Sequence, residues 1–253
     1  MTIYRDDWHA RHRERTRRAA QLILPFLLRE FSVESILDIG CGHGDWLHVC
    51  RDLGVTDVLG CDGPWIDATQ LVIPRANFRC EQLNRPLDFG QKFDLILCTE
   101  VGEHLPKSHS DFLVDTITAH ADLVFFGAAI PHQGGYRHIN EQWQSWWVQH
   151  FDARGYSAYD LIRPLVWNEP IDFWYKQNNF VYVRRSRQDL VDRAQAAAIR
   201  NVSVASCVDI VHPHKYTDTA TYTSVAFRPF IKGFPGAAYR KFKSVAFGRY
   251  STR

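Results

Sequence analysis

Residues 36–46 read Ile36-Leu37-Asp38-Ile39-Gly40-Cys41-Gly42-His43-Gly44-Asp45-Trp46: an apolar strand, a turn with glycine at alternate positions, and the start of a helix. Glycine tolerates positive φ and lets a ligand approach the backbone closely. In open α/β sheets, ligands sit at the carboxyl ends of strands, which is where this turn falls. From Ser35 onward the short apolar runs SILDIG, DVLGCD, ANFRCEQL, FDLILCTE and ADLVFFGAAI alternate with Gly-bearing turns and helix-like stretches. That alternation predicts a doubly wound, mostly parallel α/β sheet with helices on both faces. The segments GYSAYDLIRP and WYKQNNFVYVRR alternate aromatic and polar residues and predict an antiparallel hairpin that completes seven strands.

The flanks differ in texture. Residues 5–18 hold six arginines (Arg5, Arg11, Arg13, Arg15, Arg17, Arg18) against three acids, followed by Ala20, Ile23, Leu27 and Phe31 at helical spacing. This predicts a basic helix leading into a buried one, kinked at Pro25. A second helix is expected over Asn140 to Gly155, with Trp143, Trp146 and Trp147 inside, and a third over 186–199. Beyond Thr219 come seven Lys or Arg and no acid, interleaved with aromatics. The division expected is a helical extension over 1–32, a central domain over 33–185, and a C-terminal helix with a basic-aromatic tail over 186–253.

Composition narrows the function classes. With 45% hydrophobic and 23% charged residues the chain has the means to fold, and a net charge of +2 gives no argument for a nucleic-acid partner. No apolar run reaches the roughly 18 residues of a membrane span, and the charged N-terminus is unlike a secretory signal, so a cytoplasmic location is expected. The six cysteines lack CxxC pairs, and neither disulfides nor a zinc site is expected.

The spacing of the glycine loop separates two cofactors. A dinucleotide turn reads GxGxxG, whereas this loop reads DxGxGxG with an acid two residues before the first glycine. It resembles the first motif of class I S-adenosylmethionine (SAM) methyltransferases, a Rossmann-like family whose loop cradles the amino acid end of the cofactor. Further segments match in order. Asp62 ends the second strand, followed by Gly63, where the family carries its ribose-binding acid. After the third strand come Gln82 and Leu83, with Gln82 in place of the usual Asp at the adenine edge. Phe93 to Pro106 is similar to the FDLI…EVxEHL segment of many small-molecule methyltransferases. The resemblance implies a SAM site of Asp38, Gly40, Cys41, Gly42, Gly44, Asp62, Gly63, Gln82, Leu83, Thr99 and Glu100.

The acceptor side is expected after strands four and five. Ala129 to Trp143, in the pattern AIPxQGGxxHxNEQW, looks like a methyltransferase subgroup associated with bacterial polysaccharide or glycolipid modification. Its polar and aromatic residues His132, Gln133, Arg137, Asn140, Glu141 and Trp143 suit hydrogen bonding and stacking to a sugar. A hydroxyl acceptor needs a general base, and His138, then His104, are the candidates. Glu100, Glu103 and His104 supply the residue types of a divalent-metal site, but adjacent helical residues diverge in direction, and no metal is expected.

The reading is a SAM-dependent methyltransferase acting at oxygen of a small molecule or glycan. Its alternatives are a quinone-type small-molecule methyltransferase and a non-catalytic SAM-binding module. The glycine spacing opposes a nicotinamide oxidoreductase. A nucleic-acid methyltransferase is opposed by CTEVGEHL standing where a (D/N)PP(Y/W) motif would be. Peripheral contact with an anionic membrane through the tail is a further expectation.

Overall fold

The computed structural model describes residues 3–200 and 208–217. It separates into two compact units, residues 1–210 and 211–253. In the second unit the described residues hold a helical turn over 213–217, where the Tyr216 amide donates to the His212 carbonyl at 3.0 Å. The basic-aromatic tail beyond Thr219 lies outside the described residues.

The first unit is built on a seven-stranded sheet. Its strands are β1 (Ser35–Ile39), β2 (Asp57–Asp62), β3 (Phe78–Cys80), β4 (Leu95–Thr99), β5 (Leu123–Gly127), β6 (Tyr156–Tyr159) and β7 (Phe180–Arg184), in the order β3-β2-β1-β4-β5-β7-β6. β3, β2, β1, β4 and β5 pair in parallel, and β7 runs antiparallel to both β5 and β6. The central strands are apolar apart from Asp38 near the end of β1, because both faces are covered, as the near-continuous ILDI, LILC and LVFF runs require. The strand order reverses beside β1, so the carboxyl ends of β1 and β4 flank the crevice where open sheets bind ligands.

Helices cover both faces: α1 (Ile3–Phe31), α2 (Asp45–Asp52), α3 (Ser110–His120), α4 (Gln144–Asp152), α5 (Arg163–Val166), α6 (Phe173–Gln177) and α7 (Gln188–Arg200). The α1 residues Ala19, Ala20, Ile23, Leu24 and Leu27 are fully buried in one core cluster with Leu47 of α2, Leu95 of β4 and Val181 of β7. On the opposite face Leu113 and Ile117 of α3 and Trp147 and Phe151 of α4 pack under Phe126 and Tyr182. Phe151 stacks on Tyr182 with ring centroids 4.0 Å apart. Among the described residues, Cys41, Cys50, Cys61, Cys80 and Cys98 are free thiols, and no helix is long and apolar enough to cross a membrane.

The basic and buried stretches form one helix, α1, with Pro25 inside it. Two expectations about the elements need correcting. α4 begins at Gln144, not at Asn140. The Ile139 and Asn140 amides both donate to the Glu103 carbonyl, and the Gln142 amide to that of Ala129, which holds 139–142 extended across the loop. Trp143 therefore sits before the helix, 41% exposed, while Trp147 is buried as expected. WYKQ belongs to α6, and the antiparallel strand starts only at Phe180, because the Asn178 amide and the Asn179 side chain close the helix end on the Trp174 and Tyr175 carbonyls.

Candidate active site

At the carboxyl ends of β1 and β4 lies a cavity of about 600 Å³. One wall is the glycine loop with Asp38, Gly40, Cys41, Gly42 and His43; facing it are Thr99, Glu100, Glu103, His104, Gln133 and His138. The loop is shaped by backbone. The Gly40 and Cys41 amides donate to the Cys61 carbonyl, and Asp62 accepts from the Gly42 amide at 2.8 Å and the Gly63 amide at 2.6 Å. Gly42 has φ +56°, and a Cβ there would meet no protein atom within 4 Å. The space beside its backbone is thus open to a ligand. Gly44 instead starts α2 in a left-handed conformation.

Asp38 is the buried acid of this wall. It is 3% exposed, and its Oδ2 has no hydrogen-bond partner. Burial, with Asp62 and Asp45 adding like charge, raises its pKa well above the carboxylate range. A carboxylate left this way suits a cationic group such as the ammonium of an amino acid moiety. With the open space at Gly42, the loop fits the amino acid end of SAM. Asp62 is also raised by burial, opposed by its bonds to the Gly42 and Gly63 amides.

Across the cavity the polar side chains are locked to one another. Glu100 has φ +56°, uncommon for a residue with a side chain. It is held there by Gln133 Nε2 at 2.8 Å and Asn178 Nδ2 at 2.7 Å on its two oxygens. Glu103 lies behind it, fully buried, and burial followed by the Glu100 charge holds its carboxyl protonated well above the usual range. His138 Nδ1 lies 3.0 Å from Glu141 Oε1, which also accepts the Gly134 amide. A Cβ on Gly135 would fall 2.2 Å from His138 Nε2, so this glycine makes room for the imidazole. His104 meets His138 edge to face at 4.9 Å, and its pKa is lowered by burial and by His138, which keeps it neutral at pH 7.

The cavity therefore gathers Asp38, Gly40, Cys41, Gly42, Thr99 and Glu100 with Gln133, His104 and His138. Asp62 and Gly63 stand behind the loop, bonded to it. Gln82 borders a separate hollow with Cys80, Glu81 and Arg85, and Leu83 packs against the core. Of the acceptor residues, His132 and Arg137 are exposed, both with positive φ, and Arg137 stacks on Tyr136. Asn140 is buried against the Gly102 carbonyl and Ser110 Oγ, so it shapes the loop from beneath. Glu141 orients His138, and Trp143 does not line the cavity.

Several cavity residues were not assigned to the site from the sequence. Arg13, Arg15 and Thr16 of α1 reach the cavity, and Arg13 and Arg17 pair with Asp45 at 3.2 and 2.6 Å. Trp174 and Tyr175 of α6 and the exposed Tyr136 add aromatic surface. The arginine-rich stretch before the glycine loop, set against the acid at position 45, was the available hint for α1.

Comparison with known proteins agrees with this geometry. A family described as a methyltransferase domain matches residues 10–162. The ubiquinone biosynthesis O-methyltransferase of Bartonella bacilliformis is 38% identical over 88 residues, which cover 32% of this chain and 35% of that protein, about a third of its length. Among solved structures, DesVI of Streptomyces venezuelae superposes with a TM-score of 0.53 at 15% identity, over 72% of this chain and 96% of DesVI. The sugar N-methyltransferase KedS8 from Streptoalloteichus gives 0.52 at 12% identity, over 66% and 86%. At these identities the likeness to the solved structures is one of fold.

Proposed function

Because the chain belongs to the methyltransferase-domain family and uses SAM, we propose that it methylates a hydroxyl of a small-molecule or glycan acceptor. The observation that carries this is the shared cavity: the glycine loop and Asp38 on one wall, the His104 and His138 imidazoles on the other. When bound, SAM supplies a methyl carbon on a positively charged sulfur. The chain's task is to hold that carbon in line with the acceptor oxygen and to take the hydroxyl proton.

Asp38 would hold the cofactor's ammonium by charge, and the Gly40 to Gly42 backbone would admit its amino acid portion. Asp62, already fixing the loop, keeps acceptor capacity for ribose hydroxyls. With His138 Nδ1 donating to Glu141, Nε2 is the basic nitrogen, an arrangement of base and orienting carboxylate common to acid–base sites. That nitrogen would take the acceptor's hydroxyl proton, leaving the oxygen to receive the methyl group that bound SAM would supply. Gln133 and Tyr136 offer hydrogen-bonding and stacking surface for a sugar.

A quinone-type phenolic acceptor is the second reading, favoured by Trp174, Tyr175 and Tyr136 in the lining and by the ubiquinone-pathway relative. Incubation with methyl-labelled SAM and fractionated cell extract, followed by mass spectrometry, tests both. Label on a saccharide hydroxyl supports the first and label on a phenol the second. Tight SAM binding with no labelled product would favour a non-catalytic module.

A further inference from the structure

We propose that residues 208–210 form a strap that holds, from behind, the cavity wall bearing Glu100 and His138, with Asp209, Gln144 and Gln177 acting as positioning residues for it. Asp209 reaches α4, 64 residues earlier in the chain: its Oδ1 accepts from the Ser145 amide at 2.8 Å and its Oδ2 from Ser145 Oγ at 2.7 Å. Trp143 stands at the cap position of α4 and gives the helix no side-chain hydrogen bond, so this distant carboxylate satisfies an open amide of the first turn. It also sets a negative charge at the positive end of the helix. Gln144 Nε2 donates to the Ile210 carbonyl at 3.0 Å, and Arg163 Nη1 donates to the Val208 carbonyl at 2.8 Å. Each of the three strap residues is thus tied to α4 or α5.

The hold of the strap extends to the cavity through buried amides. The same Gln144 Nε2 that meets Ile210 also donates to the Gln177 carbonyl at 3.2 Å. Gln177, the last residue of α6, is fully buried and donates through Nε2 to Asn178 Oδ1 at 2.9 Å and Gln133 Oε1 at 3.5 Å. Asn178 and Gln133 are the two amides that grip the Glu100 carboxylate. Gln133 and His138 share the loop after β5, so the chain of bonds ends on the residues that face the acceptor.

Packing alone does not require this arrangement. Gln144, Gln177, Asn178 and Gln133 are all buried, and burying carboxamides is costly unless each is hydrogen-bonded. Apolar side chains would fill the same space without fixing which way the Gln133 and Asn178 amides point, whereas a satisfied polar network specifies one geometry. Glu100 needs that specification, because its φ of +56° persists only where the surroundings over-determine it. Freeing the strap opens the start of α4 and takes from Gln144 one of its two acceptors. The glycine loop, tied instead to Cys61 and Asp62, keeps its bonds.

The effect on rate rests on the methyl-transfer reading and the effect on the wall does not, so the test reads both. The full chain, as wild type, Asp209→Ala and Asp209→Asn, is followed by amide hydrogen exchange, by SAM affinity, and by label transfer from SAM to the cell-extract fraction that wild type labels. The Ile139, Asn140 and Gln142 amides, bonded to the Glu103 and Ala129 carbonyls, report on the wall. In Asp209→Ala their exchange should quicken about 10-fold, and transfer at saturating amounts of the fraction should fall about 10-fold with SAM affinity unchanged, the scale of one lost hydrogen bond to a charged group. Asp209→Asn keeps an oxygen for the Ser145 amide and should recover most of both. Should Asp209→Ala fail to fold by circular dichroism, Ser145→Ala, which removes only the hydroxyl contact, carries the test. Faster exchange confined to the first turn of α4, transfer as fast as that of wild type, or no recovery in Asp209→Asn overturns the proposal. If wild type binds SAM and labels nothing, while Asp209→Ala still loosens residues 139–142, the strap stands and the transfer reading falls.

Discussion

The two walls of the cavity are built by different means. The cofactor wall is contiguous in sequence: residues 38–46 form a strand end, a glycine turn and a helix start, supported from outside by Cys61 and Asp62 of the adjacent strand and by Arg13 and Arg17 of α1 on Asp45. The acceptor wall is assembled from far apart. Glu100 is fixed by Gln133 and Asn178, His138 by Glu141, and Asn140 by Gly102 and Ser110. A wall made of backbone tolerates changes around it but not within it. A wall made of linked side chains spreads the effect of any one change to its partners.

The sharpest way to break that contrast is at the glycines. Gly42→Val should abolish SAM binding in calorimetry, since its side chain enters ligand space, while the positive φ costs about 1–2 kcal/mol and lowers Tm by a few degrees. Gly40→Val should cost far more stability, because its Cβ would lie 2.2 Å from Val101 Cγ2. Equal losses of Tm in the two variants would refute the picture of open space at Gly42.

On the acceptor wall, His138→Ala should lower kcat by roughly 10² to 10⁴ with SAM affinity intact, the range for a lost general base. A change confined to KM would make His138 a binding residue. Asp62→Ala comes next, weakening SAM by about 1–3 kcal/mol as hydrogen-bonding groups lose their partner. It should also lower Tm, because it frees the Gly42 and Gly63 amides.

These contrasts track what the sequence made legible. The mostly parallel seven-stranded sheet, the glycine turn and the antiparallel end followed from apolar runs and turn residues close together in the chain. Asp38, Gly40 and Gly42 were readable for the same reason. Asn140 and Trp143 were placed on the acceptor surface because their residue types suit sugars. Their positions depend on backbone bonds to Glu103 and Ala129, which no local pattern encodes. Arg13 and Trp174 reach the cavity only through the packing of α1 and α6, and His104 meets His138 across two loops distant in sequence.

A smaller effect concerns pH. An ammonium prefers ionised Asp38, and burial raises the pKa of that carboxyl, so protonation competes with binding as pH falls. SAM affinity should therefore weaken at pH values above the ordinary Asp range of about 3.9, and Asp38→Asn should flatten the dependence along with lowering affinity. A wild-type profile flat down to pH 4 would contradict the role given to Asp38. Smallest of all, Tyr136→Ala at the exposed loop should raise acceptor KM a few-fold and leave SAM binding and Tm unchanged.

The central claim, one cavity with separable cofactor and acceptor walls, is tested most directly by titrating SAM into wild type, Gly42→Val and His138→Ala while following label transfer in the same preparations. The account predicts binding and transfer in wild type, neither in Gly42→Val, and wild-type binding with transfer almost lost in His138→Ala. Undiminished SAM binding by Gly42→Val, or loss of SAM binding in His138→Ala, would contradict it.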